Sequence, residues 1–247
     1  MKQWHFYNSR LAKVPWFIRR FGLRQMLIGP FRQIFAARII PRLPTGTFSF
    51  DGERLPYFYH TYNVTWVNER AVEIPIAMKY LAAAHGRRVL EIGNVLSHYH
   101  PVHHVILDKY EIGPDILNFD IVDYRPSALY DLILSISTFE HIGFDDDTGT
   151  SSGAKISAAI QHTRSLLAGD GMLVLTVPIG YNPDLDQLLR DDQLGSRREL
   201  YLRRTAFREW AESTKDSALQ CQFKSPFPYA NAIGVLEFAS GNAVSDN

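Results

Sequence analysis

An α/β fold on a doubly wound, mostly parallel seven-stranded sheet, with an N-terminal extension, is the architecture this chain predicts. Three observations point to it. From about residue 87 onward, short apolar runs alternate with segments of helical period, the order that builds parallel sheets. Two of those runs, Arg88-Val-Leu-Glu-Ile-Gly-Asn94 and Tyr130-Asp-Leu-Ile-Leu-Ser-Ile-Ser-Thr-Phe-Glu-His-Ile142, end in an acid, a glycine or a histidine. Acid and glycine at the carboxyl ends of consecutive strands mark the edge of an open sheet where nucleotides bind. Finally, 247 residues suffice for one such domain with an extension and a sizeable core.

The elements follow in order. Residues 1–44 form a basic, aromatic arm in which Pro15, Gly29-Pro30, Pro41 and Pro44 leave room for two short helices, roughly 16–28 and 31–40. Residues 45–247 form the main domain, and 45–85 its lid and entrance region. Within it, Asp51-Gly52 between aromatic runs is a hairpin signal. Asn68 can cap a helix from Glu69 to His85, ended by Gly86, with Val72, Ile76, Tyr80 and Ala83 on one face and Pro75 perturbing its first turns. Strands are expected at Val89–Ile92, Val105–Leu107, Asn118–Asp120, Leu132–Ser135 and Met172–Val177. A helix from about Thr150 to Leu167 buries Ile156, Ile160 and Thr163, and Gly169-Asp-Gly171 turns the chain into the fifth strand. A helix around Leu185–Leu194, a strand at Glu199–Arg203, a helix at Ala206–Ser213 and a last strand at Gly234–Phe238 complete the chain.

Composition narrows the classes. Apolar residues make up 46% and charged residues 21%, ordinary for a globular protein. The one cysteine, Cys221, excludes an intramolecular disulfide and a cysteine-based zinc site, so a reducing compartment is the default. No uninterrupted secretory segment or membrane-spanning run is present, and the expected location is cytoplasmic. The net charge of zero hides an asymmetry: residues 1–50 hold nine Lys/Arg and no acid, leaving 17 basic against 26 acidic residues beyond, a net of −9. A basic arm with Trp4, Phe6, Trp16, Phe17 and Phe21 suits peripheral contact with an anionic membrane surface; packing against the body or an oligomer contact is the plainer alternative. The acidic body and the lack of a nucleic-acid motif disfavour DNA and RNA as partners, and oligomeric state is not legible.

From Arg87 to Phe238 the chain resembles class I methyltransferases that use S-adenosylmethionine (SAM), nearest to the small-molecule group whose fourth strand ends in Glu-His. The resemblance implies a Rossmann-like fold closed by an antiparallel hairpin. In that family an acid-x-Gly-x-Gly-x-Gly motif leaves strand one and turns its amides toward the methionine part of SAM. Here Glu91-Ile-Gly93-Asn94-Val95-Leu-Ser97 keeps the acid and the first glycine, with Asn94 as an alternative hydrogen-bonding group. Val95 and Ser97 replace the other two glycines. The resemblance implies that Asp108 accepts from the two ribose hydroxyls, for which a carboxylate is suited by its paired acceptor oxygens. It implies too that Asp120 and Ile121 meet adenine and that Ser137, with Thr138, lines the sulfonium end. The dozen residues between Gly93 and Val105 leave the usual first helix only a turn or two.

Methyl transfer from a sulfonium asks the protein to align an acceptor atom and, for a hydroxyl, to remove its proton. His141 is the candidate base: it follows strand four on the cofactor edge and titrates in the right range. Packing beside the cofactor is the structural alternative. Tyr181, beyond Pro178-Ile-Gly180, is placed to shape an acceptor pocket. No metal is expected, because Asp145-Asp-Asp147 reads as a solvated loop and His98-Tyr-His100-Pro-Val-His103-His104 as the turn between strands one and two. The aromatic run Tyr57 to Trp66, with Asn63 and Thr65, suits a sugar or another polar ring, or braces the lid. The function expected is SAM-dependent O-methylation of a small-molecule or glycan hydroxyl. The alternatives left open are a catalytically inactive binding module of this fold, supported by Val95 and Ser97, and N- or C-methylation.

Overall fold

The computed structural model describes Ile39, residues 45–144 and residues 152–240. The expectations for the basic arm (Ile39 excepted) and for Asp145–Asp147 and Thr150 lie outside the described residues. The chain divides into two compact units, residues 1–44 with 59–64 and residues 45–58 with 65–247. In the first, Ile39 is helical and exposed, and Thr61 turns the chain into a 3₁₀ segment that begins at Tyr62, with Asn63 and Val64 at φ of +58° and +51°. There the Val64 amide donates to the Thr61 carbonyl at 3.2 Å and the Tyr62 amide to His60 Nδ1 at 3.0 Å.

The second unit holds the sheet. It opens with a hairpin of β1 (Thr47–Phe50) and β2 (Glu53–Pro56), paired in the register Phe50↔Glu53. Asp51 and Gly52 take φ of +54° and +74°, the twist a two-residue hairpin turn requires. Phe48 and Phe50 are buried, and the Trp210 amide donates to the Tyr57 hydroxyl at 2.8 Å.

Helix α1 (Arg70–Ala83) starts where expected, with Asn68 Oδ1 accepting from the Arg70 amide at 3.1 Å. Pro75 has no N–H for the carbonyl of Ala71, and that carbonyl accepts instead from the Phe58 amide at 2.9 Å. The proline is thus absorbed by the segment entering from the hairpin. Val72, Ile76 and Tyr80 are buried as the period predicts; Ala83 is exposed, and Ala84 takes its inward place as the helix ends.

An eight-stranded sheet follows. Its strands are β3 (Val89–Ile92), β4 (Val105–Leu107), β5 (Ile116–Leu117), β6 (Tyr130–Ile136), β7 (Leu167–Pro178), β8 (Arg198–Ala206), β9 (Glu209–Ser213) and β10 (Ala232–Ala239). They lie in the order β5-β4-β3-β6-β7-β10-β8-β9. The first five are mutually parallel, and β10, β8 and β9 are antiparallel to their neighbours. This is the doubly wound, Rossmann-like arrangement with a closing antiparallel hairpin. The eighth strand, β9, extends its edge beyond the seven expected. Successive strands run outward from β3 to β5, then the chain returns to β6 and runs the other way. The reversal sits between β3 and β6, and ligands of open α/β sheets bind outside the carboxyl ends of the strands at that point.

Helices cover both faces. On one, Ile74 and Ala77 of α1 pack with Leu96 and Ile136. On the other, α2 (Ser152–Ser165), α3 (Pro183–Arg190) and α4 (Lys215–Leu219) cover the larger core, where Ile156, Ile160, Leu185 and Leu189 meet Ile133, Leu173 and Leu175. Each fully buried side chain of this size contributes about 1.5–3 kcal/mol.

Two local expectations are corrected. Residues 206–213 contain helix formers, yet Glu209–Ser213 is strand β9, because Trp210 is buried opposite Arg204 and its amide is taken by Tyr57. Tertiary pairing overrides local propensity here. The third strand lies at Ile116–Leu117, just before the expected Asn118–Asp120. Asn118 instead turns its amide nitrogen onto the carbonyls of Asp108 and Lys109, both at 2.9 Å, and of Glu111 at 3.3 Å. Among the described residues, no helix is long and apolar enough to cross a membrane.

Candidate active site

The site is the carboxyl edge where the sheet reverses direction. Gly93 leaves β3 with φ of +84°, a conformation that disfavours other residues. A Cβ there would lie 2.3 Å from Thr138 Oγ1 of the segment leaving β6. Gly93 thus brings the two segments at the reversal together. Gly93→Ala is expected to cost about 2–3 kcal/mol of stability from strain and overlap. Urea unfolding measures this, and a Thr138→Ala background should recover part of the loss.

Glu91 is fully buried beneath the loop. Its Oε1 accepts from the amides of Val95 and Leu96 at 2.9 and 2.8 Å, and its Oε2 lies 2.7 Å from His104 Nε2. The first helix is reduced to one 3₁₀ turn, Leu96–His98. Asn94 also faces inward on its own loop: its amide donates to Asp108 Oδ2 at 2.9 Å and its side-chain oxygen accepts from the Ser97 hydroxyl. His104 therefore serves Glu91, and His98 lies 3.4 Å from Glu111. Among the described residues no cluster of three or more His, Cys, Asp or Glu has metal-holding geometry.

Asp108, half-buried just past β4, accepts on Oδ1 from the amides of Tyr110 and Glu111 at 2.8 and 2.7 Å. With Asn94 on Oδ2, three donors hold this carboxylate at the carboxyl edge of the sheet, and Oδ2 keeps acceptor capacity for a further hydroxyl. Asp120 begins the 3₁₀ turn Ile121–Asp123, accepts from the Val122 amide at 3.2 Å and pairs with Lys109 at 2.9 Å. Ile121 packs into the large core; the exposed apolar side chains of this turn are Phe119 and Val122. Ser137 leaves β6 with φ of +42°, and its hydroxyl donates to the buried Glu73 Oε1 at 2.5 Å.

That contact belongs to a buried polar network under the edge. Glu73 Oε1 also accepts from the Thr176 hydroxyl at 2.7 Å, and its Oε2 pairs with Arg70 Nη1 at 2.7 Å. Glu69 accepts from the Ala230 amide at 3.1 Å. Glu140 is 2% exposed, and its Oε2 has no hydrogen-bond partner among the described residues. Burial pushes the Glu140 carboxyl well above the usual glutamate range, the negative charges of Glu73 and Glu69 adding to this and Arg70 opposing it. Burial, then Glu73, raises Glu69 as well.

The sign follows from linkage. A carboxyl raised by folding binds its proton more tightly in the native state, so stability falls as pH rises from the ordinary glutamate range toward the folded value. Glu140→Gln is expected to flatten that decline and to raise the melting temperature above wild type at neutral pH, with the advantage vanishing in acid. Thermal unfolding measured from acid to neutral pH checks it.

His141 follows Glu140 in the 3₁₀ turn Phe139–His141, exposed at the carboxyl edge, with Nε2 3.6 Å from Glu140 Oε1. Its Nδ1 lies 3.2 Å from the Tyr181 hydroxyl, and the two rings meet edge to face at 4.9 Å. The structure thus brings Gly93, Asn94 and Asp108 together at the reversal, places His141 beside Tyr181 on the β7 side, and puts Asp120 on the β5 side. Arg70 and Glu73 from α1, Phe144 after β6 and Phe223 before β10 carry no local sequence signal, since they reach the edge from three separate segments.

Neither a protein-family model nor a curated protein matches the chain. Solved structures do. The N-methyltransferase NodS from Bradyrhizobium japonicum WM9 aligns with a TM-score of 0.41 and 14% identity over 70% of this chain and 96% of its own. Its complex with S-adenosyl-L-homocysteine (SAH) aligns at 0.44 and 13% identity over 70% and 87%. A SAM-dependent methyltransferase from Archaeoglobus fulgidus gives 0.41 and 14% over 66% and 90%. At these TM-scores the functional reading rests on this chain's own strand order and side chains.

The residues fit the nucleoside half of SAM: a held carboxylate with spare acceptor capacity after the second parallel strand, beside a glycine at the reversal. At the methionine end, the amides of Val95 and Leu96 are already bonded to Glu91.

Proposed function

We propose that this protein is a SAM-dependent methyltransferase acting on a hydroxyl of a small molecule or glycan. The observation that carries the reading is Asp108, fixed by three backbone amides at the carboxyl edge beside the reversal between β3 and β6. Asp108 would hold the ribose, and Asp120 with the exposed apolar side chains of its turn would hold the base. When bound, SAM supplies a methyl group made electrophilic by the sulfonium. His141 would take the proton of the acceptor hydroxyl, whose oxygen gains the methyl as the sulfonium–methyl bond breaks and SAH leaves, and the Tyr181 hydroxyl would orient the imidazole. Membrane contact through the basic arm belongs to the same reading, as the means of reaching a lipid-linked acceptor.

Transfer of labelled methyl from SAM to a panel of phenolic, sugar and amine acceptors tests it. His141→Ala should slow transfer to a hydroxyl by about 10²–10⁴-fold, the usual range for a positioned base. Transfer to amines that survives in this variant would assign the chemistry to nitrogen instead. One observation favours a second reading, a binding module without methyl transfer: Glu91 occupies the loop amides that would otherwise face the methionine end.

A further inference from the structure

We propose that His141, Phe144, Tyr181 and Phe223 form the acceptor platform, and that it takes a neutral ring carrying a hydroxyl, either a phenol or a sugar. The proposal rests on the methyltransferase reading above and names its substrate class. The four rings come from three segments at the carboxyl edge: two follow β6, one follows β7, and one precedes β10. Tyr181 is the hub. Its ring lies 4.9 Å from His141, 5.7 Å from Phe144 and 5.1 Å from Phe223, all edge to face.

The cluster is held from below. Asn182 donates its side-chain N–H to the Glu140 carbonyl at 2.8 Å while capping α3, which ties the segment after β7 to the one after β6. Gly180, with φ of +81°, passes so close to the third segment that a Cβ would lie 2.7 Å from the Phe223 nitrogen. Asp186 accepts from the Gly180 amide at 2.9 Å and fixes that approach. A preorganised aromatic surface binds a ring without first ordering its own side chains. It is also reachable, since Phe144 is 45% exposed and the His141 side chain 44%.

Charge selects a neutral occupant. Lys224 Nζ lies 5.3 Å from the centre of the Phe223 ring, placing a positive charge at the rim that opposes a cationic acceptor. The Glu140 carboxyl, 3.6 Å from His141, is pushed well above the usual glutamate range by burial, which weakens it as a counter-charge for a cation. A hydroxyl on a ring held by the platform comes within reach of the His141 imidazole. Phenols and sugars share the needed chemistry, an apolar ring face with a hydroxyl at its edge.

The test is a magnetic-resonance titration of the full chain with p-cresol and with methyl β-D-glucopyranoside, following the His141 ring protons. At least one probe should shift them saturably, and which one does so separates the phenolic from the sugar source. Tyr181→Ala and the half-exposed Phe144→Ala should each weaken that binding about tenfold, the scale of losing a central aromatic contact. Tyr181→Phe should hold it within about threefold because the ring remains. The proposal is overturned if neither probe moves His141, if both alanine variants bind like wild type, or if tyramine binds more tightly than p-cresol. Calorimetric titration with SAH separates the two levels: both alanine variants should retain its affinity, whereas wild type that binds a ring but no SAH would sink only the methyltransferase reading.

Discussion

Glu91→Ala is expected to destabilise the protein by about 3–5 kcal/mol, the cost of stranding several buried polar groups at once. The fully buried carboxylate serves the amides of Val95 and Leu96 and the imidazole of His104. Leu96 is itself fully buried, so water cannot easily replace the lost acceptor. Glu91→Gln keeps an acceptor for the two amides and should lose less than half as much. Chemical denaturation of the three proteins measures this. A loss below about 1 kcal/mol for the alanine variant would mean that the loop amides are hydrated and that Glu91 is free to face the cleft.

Arg70→Met should cost a similar about 3–5 kcal/mol, because it leaves the Glu73 carboxylate buried without its cation. Glu73 ties α1 to the ends of β6 and β7 through Ser137 and Thr176, so the damage falls directly beneath the candidate site. Replacing both partners, Arg70→Met with Glu73→Gln, removes the uncompensated charge and should recover most of the loss. The coupling read from this cycle distinguishes a structural ion pair from two independent side chains. Additive losses in the double variant would contradict the network described.

Much of the fold was legible because its central strands are buried on both faces. Such strands read as continuous apolar runs, as Val89–Ile92 and Leu132–Ser135 do. The hairpin turn at Asp51-Gly52 was legible for a local reason, since both positions need positive φ. Strand β9 was not: Trp210 is fixed by Tyr57, 153 residues earlier in the chain. Strand β5 has two residues, too few to carry a period.

The site divides in the same way. Gly93 and Asp108 stand in local patterns of strand, glycine and acid. The hydroxyl of Ser137 goes to Glu73, 64 positions away, and Phe223 reaches Tyr181 only through the antiparallel return of β10 beside β7. No window of sequence contains those relationships.

Calorimetric titration of SAM into the purified full chain, with Asp108→Ala as the control, tests the central claim most directly. The account predicts saturable binding at micromolar concentration that is lost by at least about 100-fold in the variant, as expected when a charged hydrogen-bond acceptor is removed from a built site. A folded wild-type protein that does not bind SAM, or a variant that binds it equally well, would contradict it.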